Sequence, residues 1–313
     1  MPGSFLLAAA VVAVLTPREV VFVDATSAAV VRRVGLPGEG LAAFAAPDGR
    51  IVVPLARDEG TAVVAESGVV VRWPGRVFPL FFREPDRMYV VLPGVLATLS
   101  YPERVPITRT SLPGLTGARR AACSADGRLV AVVPEGGAGR TLLLVPALER
   151  GAAIPIALGG EPSLVAIGPD GGFAVAVSDG RSLALIAPGA DGGVRGVLPL
   201  GATVRALGVS ADGRGVLVGL AGLTGGELVG VRVEPGSAHP FRIEFRTALA
   251  APVTAVGTAG GEIVALAGAN LVVLAANGRH VLRMAAVAGA TDLAVEPAKP
   301  LSLVPAWSDA TAP

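Results

Sequence analysis

The sequence predicts an all-β fold, a seven-bladed β-propeller made of four-stranded antiparallel blades. Three observations lead to this prediction: a short turn motif that returns about every forty residues, apolar runs on both sides of each motif, and a last strand near 291–296 that has no blade of its own. A β-hairpin repeated at this period is typical of sheets arranged radially around an axis.

The turn motif has a Ser or Pro shortly before Asp-Gly, with an apolar run before and after it. Such dipeptides suit two-residue hairpin turns, in which both central residues take a positive φ. A copy with a proline but no glycine lies at Glu84-Pro85-Asp86-Arg87. The other copies are Asp48-Gly49, Asp126-Gly127, Asp170-Gly171, Asp212-Gly213 and, at the same place in a later unit, Gly260-Gly261.

Two further apolar runs follow each turn, for example residues 142–145 and 153–158, so each unit supplies four strands. Residues 6–34 contain only three strands, and pairing them with 291–296 would complete a blade and remove an open sheet edge. Six or eight blades are the alternatives, because residues 301–304 form another candidate strand. We expect one domain over residues 1–307 and a short flexible tail over 308–313.

The pattern Ser-x-Asp-Gly-Arg, as in Ser124–Arg128 and Ser210–Arg214, resembles the YVTN-type and WD-repeat-like bacterial propellers. The Gly-His and Trp-Asp signature of true WD repeats is absent. The resemblance covers most of the chain and implies the fold. It implies no single function, because these families include binding scaffolds, surface proteins and a lactonase branch.

The composition of the 313 residues is unusually apolar, with 52% hydrophobic and 16% charged residues and a mean hydropathy of +0.63. Strands packed between two blades are buried on both faces, which explains part of this excess. A large partner surface would explain the rest. The net charge of +1 argues against a nucleic-acid binder, which would carry a basic surface.

The apolar segment 5–15 has the length of a signal-peptide core and is too short to span a bilayer. No Lys or Arg precedes it, and it continues directly into the next two strands of a blade. We therefore expect a strand of the mature protein, a cytoplasmic location and no transmembrane span. Export remains the alternative if residues 5–15 act as a signal segment.

Residues suited to catalysis are scarce, since the chain has two histidines and one cysteine. Neither histidine has a nearby Cys, His or paired carboxylate, and zinc needs three or four such ligands. We expect no catalytic residue, no metal and no cofactor. Ser124 and Ser210 precede Asp-Gly turns, where a hydroxyl caps local backbone groups.

Residues 72–120 combine arginines with six of the thirteen aromatic residues. This composition is typical of protein-binding hot spots. The alternative is that the aromatic side chains fill the core of blades 2 and 3. The predicted partner-binding residues are Arg72, Trp73, Arg76, Phe81, Phe82, Arg83 and Arg87.

A second candidate region is the ring of connections between the last strand of one blade and the first strand of the next. In a propeller these connections surround one mouth of the central channel. Mixed charges around such a mouth could orient a polar ligand, or simply solvate the channel. The candidate residues are Glu39, Arg120, Glu161, Arg205 and Asp292.

The function predicted from the sequence is that of a non-enzymatic scaffold or accessory subunit that binds protein partners within a larger complex. The alternative is a lactonase-like or other hydrolase that works at the channel mouth. The Asp-Gly turns lie at the opposite mouth, so we expect them to be structural.

Overall fold

The computed structural model describes residues 11–57, 59–135, 140–149, 151–188 and 193–295, which form seven four-stranded antiparallel sheets. The innermost strands of consecutive sheets contact one another in a closed ring. The fold is therefore a seven-bladed β-propeller, and the prediction of seven blades is confirmed. No helix in the described ranges is long and apolar enough to cross a membrane.

Blades 1 to 3 hold the first eleven strands and the last one, in the following order from the innermost to the outermost strand of each blade. Blade 1 contains β28 (Asp292–Ala294), β1 (Val11–Leu15), β2 (Glu19–Asp24) and β3 (Ala29–Gly35). Blade 2 contains β4 (Phe44–Ala45), β5 (Ile51–Pro54), β6 (Thr61–Ala65) and β7 (Gly68–Trp73). Blade 3 contains β8 (Pro79–Phe81), β9 (Arg87–Leu92), β10 (Val95–Ser100) and β11 (Pro106–Ser111).

Blades 4 to 7 follow in the same order. Blade 4 contains β12 (Ala118–Cys123), β13 (Leu129–Pro134), β14 (Thr141–Pro146) and β15 (Ile154–Ala157). Blade 5 contains β16 (Pro162–Ile167), β17 (Ala174–Ser178), β18 (Ser182–Ala187) and β19 (Gly193–Pro199). Blade 6 contains β20 (Thr203–Val209), β21 (Gly215–Ala221), β22 (Gly226–Val233) and β23 (Phe241–Leu249), and blade 7 contains β24 (Val253–Ala259), β25 (Glu262–Ala267), β26 (Asn270–Leu274) and β27 (Val281–Ala286).

Blade 1 joins the two ends of the described chain, as predicted. Strand β28 pairs with β1 in antiparallel register, with Leu293 opposite Val14. Strand β1 lies within the segment proposed as an alternative signal sequence, and Val12 and Val14 are fully buried there. Residues 6–10 of the predicted first strand, the competing strand at 301–304 and the predicted tail at 308–313 lie outside the described residues.

The predicted geometry of the Asp-Gly turns is wrong in one respect. Among these turns only the glycine takes a positive φ, as at Gly127 with a φ of 74°, and its N–H donates to the Ser124 carbonyl. The Ser124 N–H then pairs with the Leu129 carbonyl, which leaves a four-residue loop instead of a two-residue turn. The two-residue prediction is confirmed at Gly260-Gly261, where both residues have positive φ and Ala259 pairs with Glu262.

The serines before these turns cap the backbone, as predicted. The Ser124 hydroxyl accepts a hydrogen bond from the Leu129 N–H at 3.0 Å and donates to the Asp126 carboxylate at 2.6 Å. Ser210 repeats this arrangement with Gly215 and Asp212. These residues therefore hold the hairpins of the turn face and present no activated nucleophile.

Candidate functional site

A β-bulge recurs in the innermost strand of four consecutive blades. In blades 4 to 7 the register of this strand against its neighbour skips one residue near the strand's start. The extra residue of a bulge is turned out of the ladder, and in blades 5 to 7 it is more exposed than the residues on either side of it. The four bulged residues are Arg119, Ser163, Arg205 and Thr254.

The bulged residues lie near the channel mouth that is opposite the Asp-Gly turns. Their strands run from the connections between blades towards the turns, and the bulge comes at the second or third residue. Each bulged residue precedes the Asp of its turn, or Gly261 in blade 7, by seven positions. The position seven residues before the turn is therefore a sequence signal for the bulge. Of the four bulged residues, only Arg205 was among the predicted channel-mouth residues.

Arg119 and Arg120 carry adjacent positive charges on β12 with different surroundings. The Arg119 guanidinium forms an ion pair with Glu161 of the next blade. Arg120 is largely buried, and its Nη1 donates to the Arg119 carbonyl at 2.9 Å. The buried Arg120 Nε has no hydrogen-bond acceptor among the described residues. Burial lowers the pKa of Arg120 to about 10, and the charge of Asp292 opposes this shift.

Asp292 is a buried carboxyl group at the inner edge of blade 1. Its Oδ2 accepts a hydrogen bond from the Ala43 N–H at 2.9 Å, and its Oδ1 accepts one from the Leu293 N–H at 2.8 Å. Burial raises its pKa to about 7, although both hydrogen bonds and the charge of Arg120 act in the opposite direction. Arg120 on blade 4 and Asp292 on blade 1 thus act on each other's pKa through their charges, each favouring the ionised form of the other.

The other predicted channel residues are more exposed. Glu161 is compensated by Arg119, whereas the exposed Arg205 has no ion pair with a described residue. Glu39 lies in the exposed connection between blades 1 and 2, where its carbonyl accepts the Ala56 N–H. Arg120 and Asp292 are therefore the least exposed residues of the predicted set, while Glu39, Glu161 and Arg205 are exposed to solvent.

The predicted partner-binding residues divide into buried aromatic side chains and solvent-facing arginines. Trp73, Phe81 and Phe82 all belong to the core of blades 2 to 4. Their predicted role in partner binding is corrected, because buried rings cannot form a contact surface. Of the arginines in this set, Arg72 and Arg83 are exposed, Arg76 is half-buried and Arg87 pairs with Glu84 at 2.9 Å.

A second set of β-bulges lies on the outer rim of the propeller. The outermost strand carries one in blades 7, 1, 2 and 3, with an aliphatic extra residue each time. These four side chains are exposed: Leu282 (45%), Val31 (51%), Val70 (46%) and Ile107 (45%). At the corresponding bulge, blade 5 has Arg195 and blade 6 has Glu244.

Exposed aliphatic residues are concentrated on this part of the rim. Of the fifteen large hydrophobic residues exposed in the described ranges, ten lie on or directly beside β27, β3, β7 and β11. We call these ten residues the apolar arc. They are Val281, Leu282, Met284, Val30, Val31, Val69, Val70, Val71, Val105 and Ile107.

The four strands of the apolar arc contain five arginines and no acidic residue. Arg33 pairs with Glu19 at 3.0 Å and Arg283 pairs with Glu262 at 2.9 Å. Arg72 donates to the Glu59 carbonyl, while Arg32 and Arg109 have no ion pair with a described residue. The apolar arc is therefore flanked by positive charge that this part of the protein does not neutralise.

A cleft of about 370 Å³ lies between blades 4 and 5 on the face of the Asp-Gly turns. Its lining combines the apolar residues Leu129, Leu144 and Ile154 with the charged residues Arg128, Glu149 and Asp170. Across the described ranges, no three His, Cys, Asp or Glu side chains come together as metal ligands would.

No protein-family model matches the chain, and no curated protein matches it by sequence. Solved structures match it as folds. A functionally unknown protein from Desulfotomaculum acetoxidans DSM 771 is 14% identical, with a TM-score of 0.72, and the match covers 91% of this chain and 98% of that one.

Two further structural neighbours have different described roles. Hydrazine synthase from Kuenenia stuttgartiensis is 16% identical with a TM-score of 0.62, and the match covers 87% of this chain and 90% of that one. The β-propeller domain of Myceliophteria thermophila Cps50 (Swd1) is 11% identical with a TM-score of 0.62, covering 85% and 96%. At these identities the likeness shows the seven-bladed propeller fold alone.

Proposed function

We propose that this protein is a non-enzymatic scaffold or accessory subunit that binds a protein partner through the apolar arc. The observation that carries the proposal is the aliphatic bulge residue on the outermost strand of four consecutive blades. Edge strands are usually protected by charges, prolines or bulges. At the bulge itself blades 5 and 6 carry the charged residues Arg195 and Glu244, and the outermost strand of blade 4 contains Pro155, whereas the bulged residue of blades 7, 1, 2 and 3 is an exposed leucine, valine or isoleucine.

The partner we propose is a protein surface that combines aliphatic and acidic residues. Aliphatic contacts would supply most of the affinity, and carboxylates facing Arg32, Arg72 and Arg109 would orient the partner. A second copy of this chain fits less well, because two arcs rich in arginine would repel each other. The Arg and aromatic region of blades 2 and 3 contributes Arg72, which lies on β7, but not its rings.

A lipid surface is disfavoured by two features of the apolar arc. The outermost strands carry backbone N–H and C=O groups that face away from the sheet, and hydrocarbon cannot satisfy them. Interfacial membrane anchors are rich in Trp and Tyr, but the exposed large hydrophobic residues in the described ranges include no aromatic residue. A protein partner can offer polar groups to the strand edge and aliphatic side chains to the bulges.

The test is co-purification of the tagged full-length chain from its native source. The variant Val31→Asp/Val70→Asp changes two bulge residues of the apolar arc. The matched control Val194→Asp/Val197→Asp makes the same change on the exposed outer strand of blade 5. We expect a partner protein to co-purify in stoichiometric amount with the wild type and with the control, but not with the arc variant. Equal recovery of this protein with all three chains, or no co-purifying protein with any of them, would overturn the proposal.

A second candidate function is hydrolysis of a lactone or related ester at the channel mouth, favoured by the buried Asp292. A carboxyl group with a pKa of about 7 suits general acid–base chemistry at neutral pH. Both of its oxygens, however, already accept backbone hydrogen bonds. Assay of a lactone panel with the wild type, Asp292→Asn and Glu161→Gln tests this candidate, which requires activity in the wild type and its loss in Asp292→Asn. The resemblance to YVTN-type propellers does not choose between the two functions.

A further inference from the structure

The apolar arc repeats one arrangement in each of its four blades. In every outermost strand of the arc, the exposed aliphatic bulge residue is followed by an arginine one or two positions later. The arc therefore consists of four copies of one contact unit. The four pairs are Leu282 and Arg283, Val31 and Arg32, Val70 and Arg72, and Ile107 and Arg109.

The carboxylates that precede these strands lie on one side of the bulge residues. Asp24, Glu66 and Glu103 come just before β3, β7 and β11, on the side of the Asp-Gly turns. Asp24 already accepts hydrogen bonds from the hydroxyls of Thr26 and Ser27. The arginines follow the bulges, on the side of the channel mouth. A partner that binds the bulges is therefore expected to place its own carboxylates on the channel-mouth side.

The four contact units form one continuous surface, because contacts bridge each junction between neighbouring blades of the arc. Blade 7 is joined to blade 1 by Arg283, whose Nη1 donates to the Ala25 carbonyl at 2.9 Å. Strands β3 and β7 contact each other between blades 1 and 2. Arg104 joins blade 3 to blade 2: its guanidinium lies 5.5 Å from the centroid of the Trp73 ring and donates to the Pro74 carbonyl at 3.0 Å.

This surface is convex and long. From the first to the last contact unit, three steps of a seven-bladed ring turn its direction through roughly 150°. Neighbouring strands are about 4.8 Å apart, so the outermost strands lie at least about 14 Å from the axis and the path along the arc is at least roughly 40 Å. A folded domain is convex as well, and a standard interface buries only about 800 Å² of each partner. Such a domain would contact one or two of the four units.

We infer that the partner binds the apolar arc through an extended segment of polypeptide that wraps around blades 7, 1, 2 and 3. This inference rests on the proposed function and specifies the form of the partner. At about 3.3 Å per residue, at least about twelve residues are needed to reach all four units. Segments that become ordered on binding can wrap large surfaces in this way. Aliphatic side chains of the segment would contact the bulge residues, and its carboxylates would lie beside Arg32, Arg72 and Arg109.

The first measurement maps where each contact unit touches the partner. A photoreactive amino acid is placed singly at position 282, 31, 70 or 107 of the full-length chain in its native source, and mass spectrometry locates the cross-linked residues of the partner. We expect all four positions to cross-link to one protein, within a single stretch of about twelve to thirty residues. The order of these sites along the partner should follow the order of the blades. The control at position 197, on the exposed outer strand of blade 5, should give no cross-link.

The second measurement compares four single variants, each with a carboxylate at one bulge residue, for binding to the partner that the cross-links identify. The variants are Leu282→Asp, Val31→Asp, Val70→Asp and Ile107→Asp. Each removes one of four equivalent aliphatic contacts, so each should weaken Kd by a similar factor of about ten. The matched control Val197→Asp should leave Kd unchanged.

The outcomes separate this inference from the proposed function. Cross-links from only two neighbouring blades, cross-links to distant parts of the partner's sequence, or a loss of binding confined to one or two variants would overturn the extended segment. Partner binding by the arc would stand in each of these cases. No cross-link from any of the four positions would overturn the proposed function, and the extended segment with it.

Discussion

The Asp292 carboxylate accepts a hydrogen bond from the Ala43 N–H at 2.9 Å, and this bond joins residues 249 positions apart in the sequence. It links the innermost strand of blade 1, supplied by the C-terminal part of the chain, to the start of blade 2. The strand pairing of β28 with β1 closes blade 1 itself. The propeller ring is thus closed twice, once by a sheet and once by a buried carboxyl group.

Replacing Asp292 should change how stability depends on pH. Its pKa in the folded protein is about 7, above the ordinary value of 3.8, so the folded state holds this proton more tightly than the unfolded state. The resulting contribution to stability is present below about pH 4 and is lost as the pH rises through 7. Asp292→Asn should remove this loss, which is on the order of 1.4 kcal/mol per pKa unit. Urea unfolding of the wild type and of Asp292→Asn from pH 4 to 8 measures this difference. If the unfolding free energies of the two proteins ran parallel over this pH range, the raised pKa of Asp292 would be contradicted.

Removing the charge of Arg120 should raise the pKa of Asp292 further. The positive charge of Arg120 favours the ionised carboxylate, so Arg120→Gln should shift the titration above pH 7. The control is Arg119→Gln, since Arg119 is paired with Glu161 and does not act on Asp292. The carboxyl ¹³C chemical shift of Asp292 reports both titrations. A pKa shift of the same size in both variants would show that Asp292 does not respond specifically to the charge of Arg120.

Two turn glycines should differ in their tolerance of alanine. Gly49 and Gly127 both have positive φ, 80° and 74°. A Cβ at Gly49 meets open space, whereas one at Gly127 would lie 2.7 Å from the Phe82 ring. Gly49→Ala should cost about 1 kcal/mol from backbone strain alone, and Gly127→Ala clearly more. Chemical denaturation measures both, and equal losses would contradict the packing of Phe82 beneath this turn.

The core and the rim should respond differently to substitution. Phe82 is buried and stacks on Tyr89 with ring centroids 4.6 Å apart, so Phe82→Ala should lower the unfolding free energy by about 3–5 kcal/mol. Val70 is exposed on an outermost strand, so Val70→Asp should change it by no more than about 1 kcal/mol. Urea unfolding of the two variants and the wild type measures both changes in free energy. A large loss for Val70→Asp would mean that this valine serves the fold and not a partner.

The fold was predictable from the sequence because each hairpin is encoded locally by a turn residue and two apolar runs. Ring closure followed from counting strands, since a lone strand such as 291–296 needs a blade. The role of Trp73, Phe81 and Phe82 was not predictable from composition, because a binding patch and a core between blades use the same side chains. The β-bulges were not predicted for another reason. Whether a residue such as Arg205 or Val70 is the extra residue of a bulge depends on the pairing register of two strands, which composition does not reveal.

Photo-cross-linking in the native source is the sharpest test of whether the apolar arc binds a protein partner. A photoreactive amino acid is placed at position 70 or 107 in the apolar arc, or at position 197 on the opposite side of the rim. We expect one discrete cross-linked protein from positions 70 and 107 and none from 197. Cross-links from 197 alone, or none from any of the three positions, would contradict partner binding by the arc.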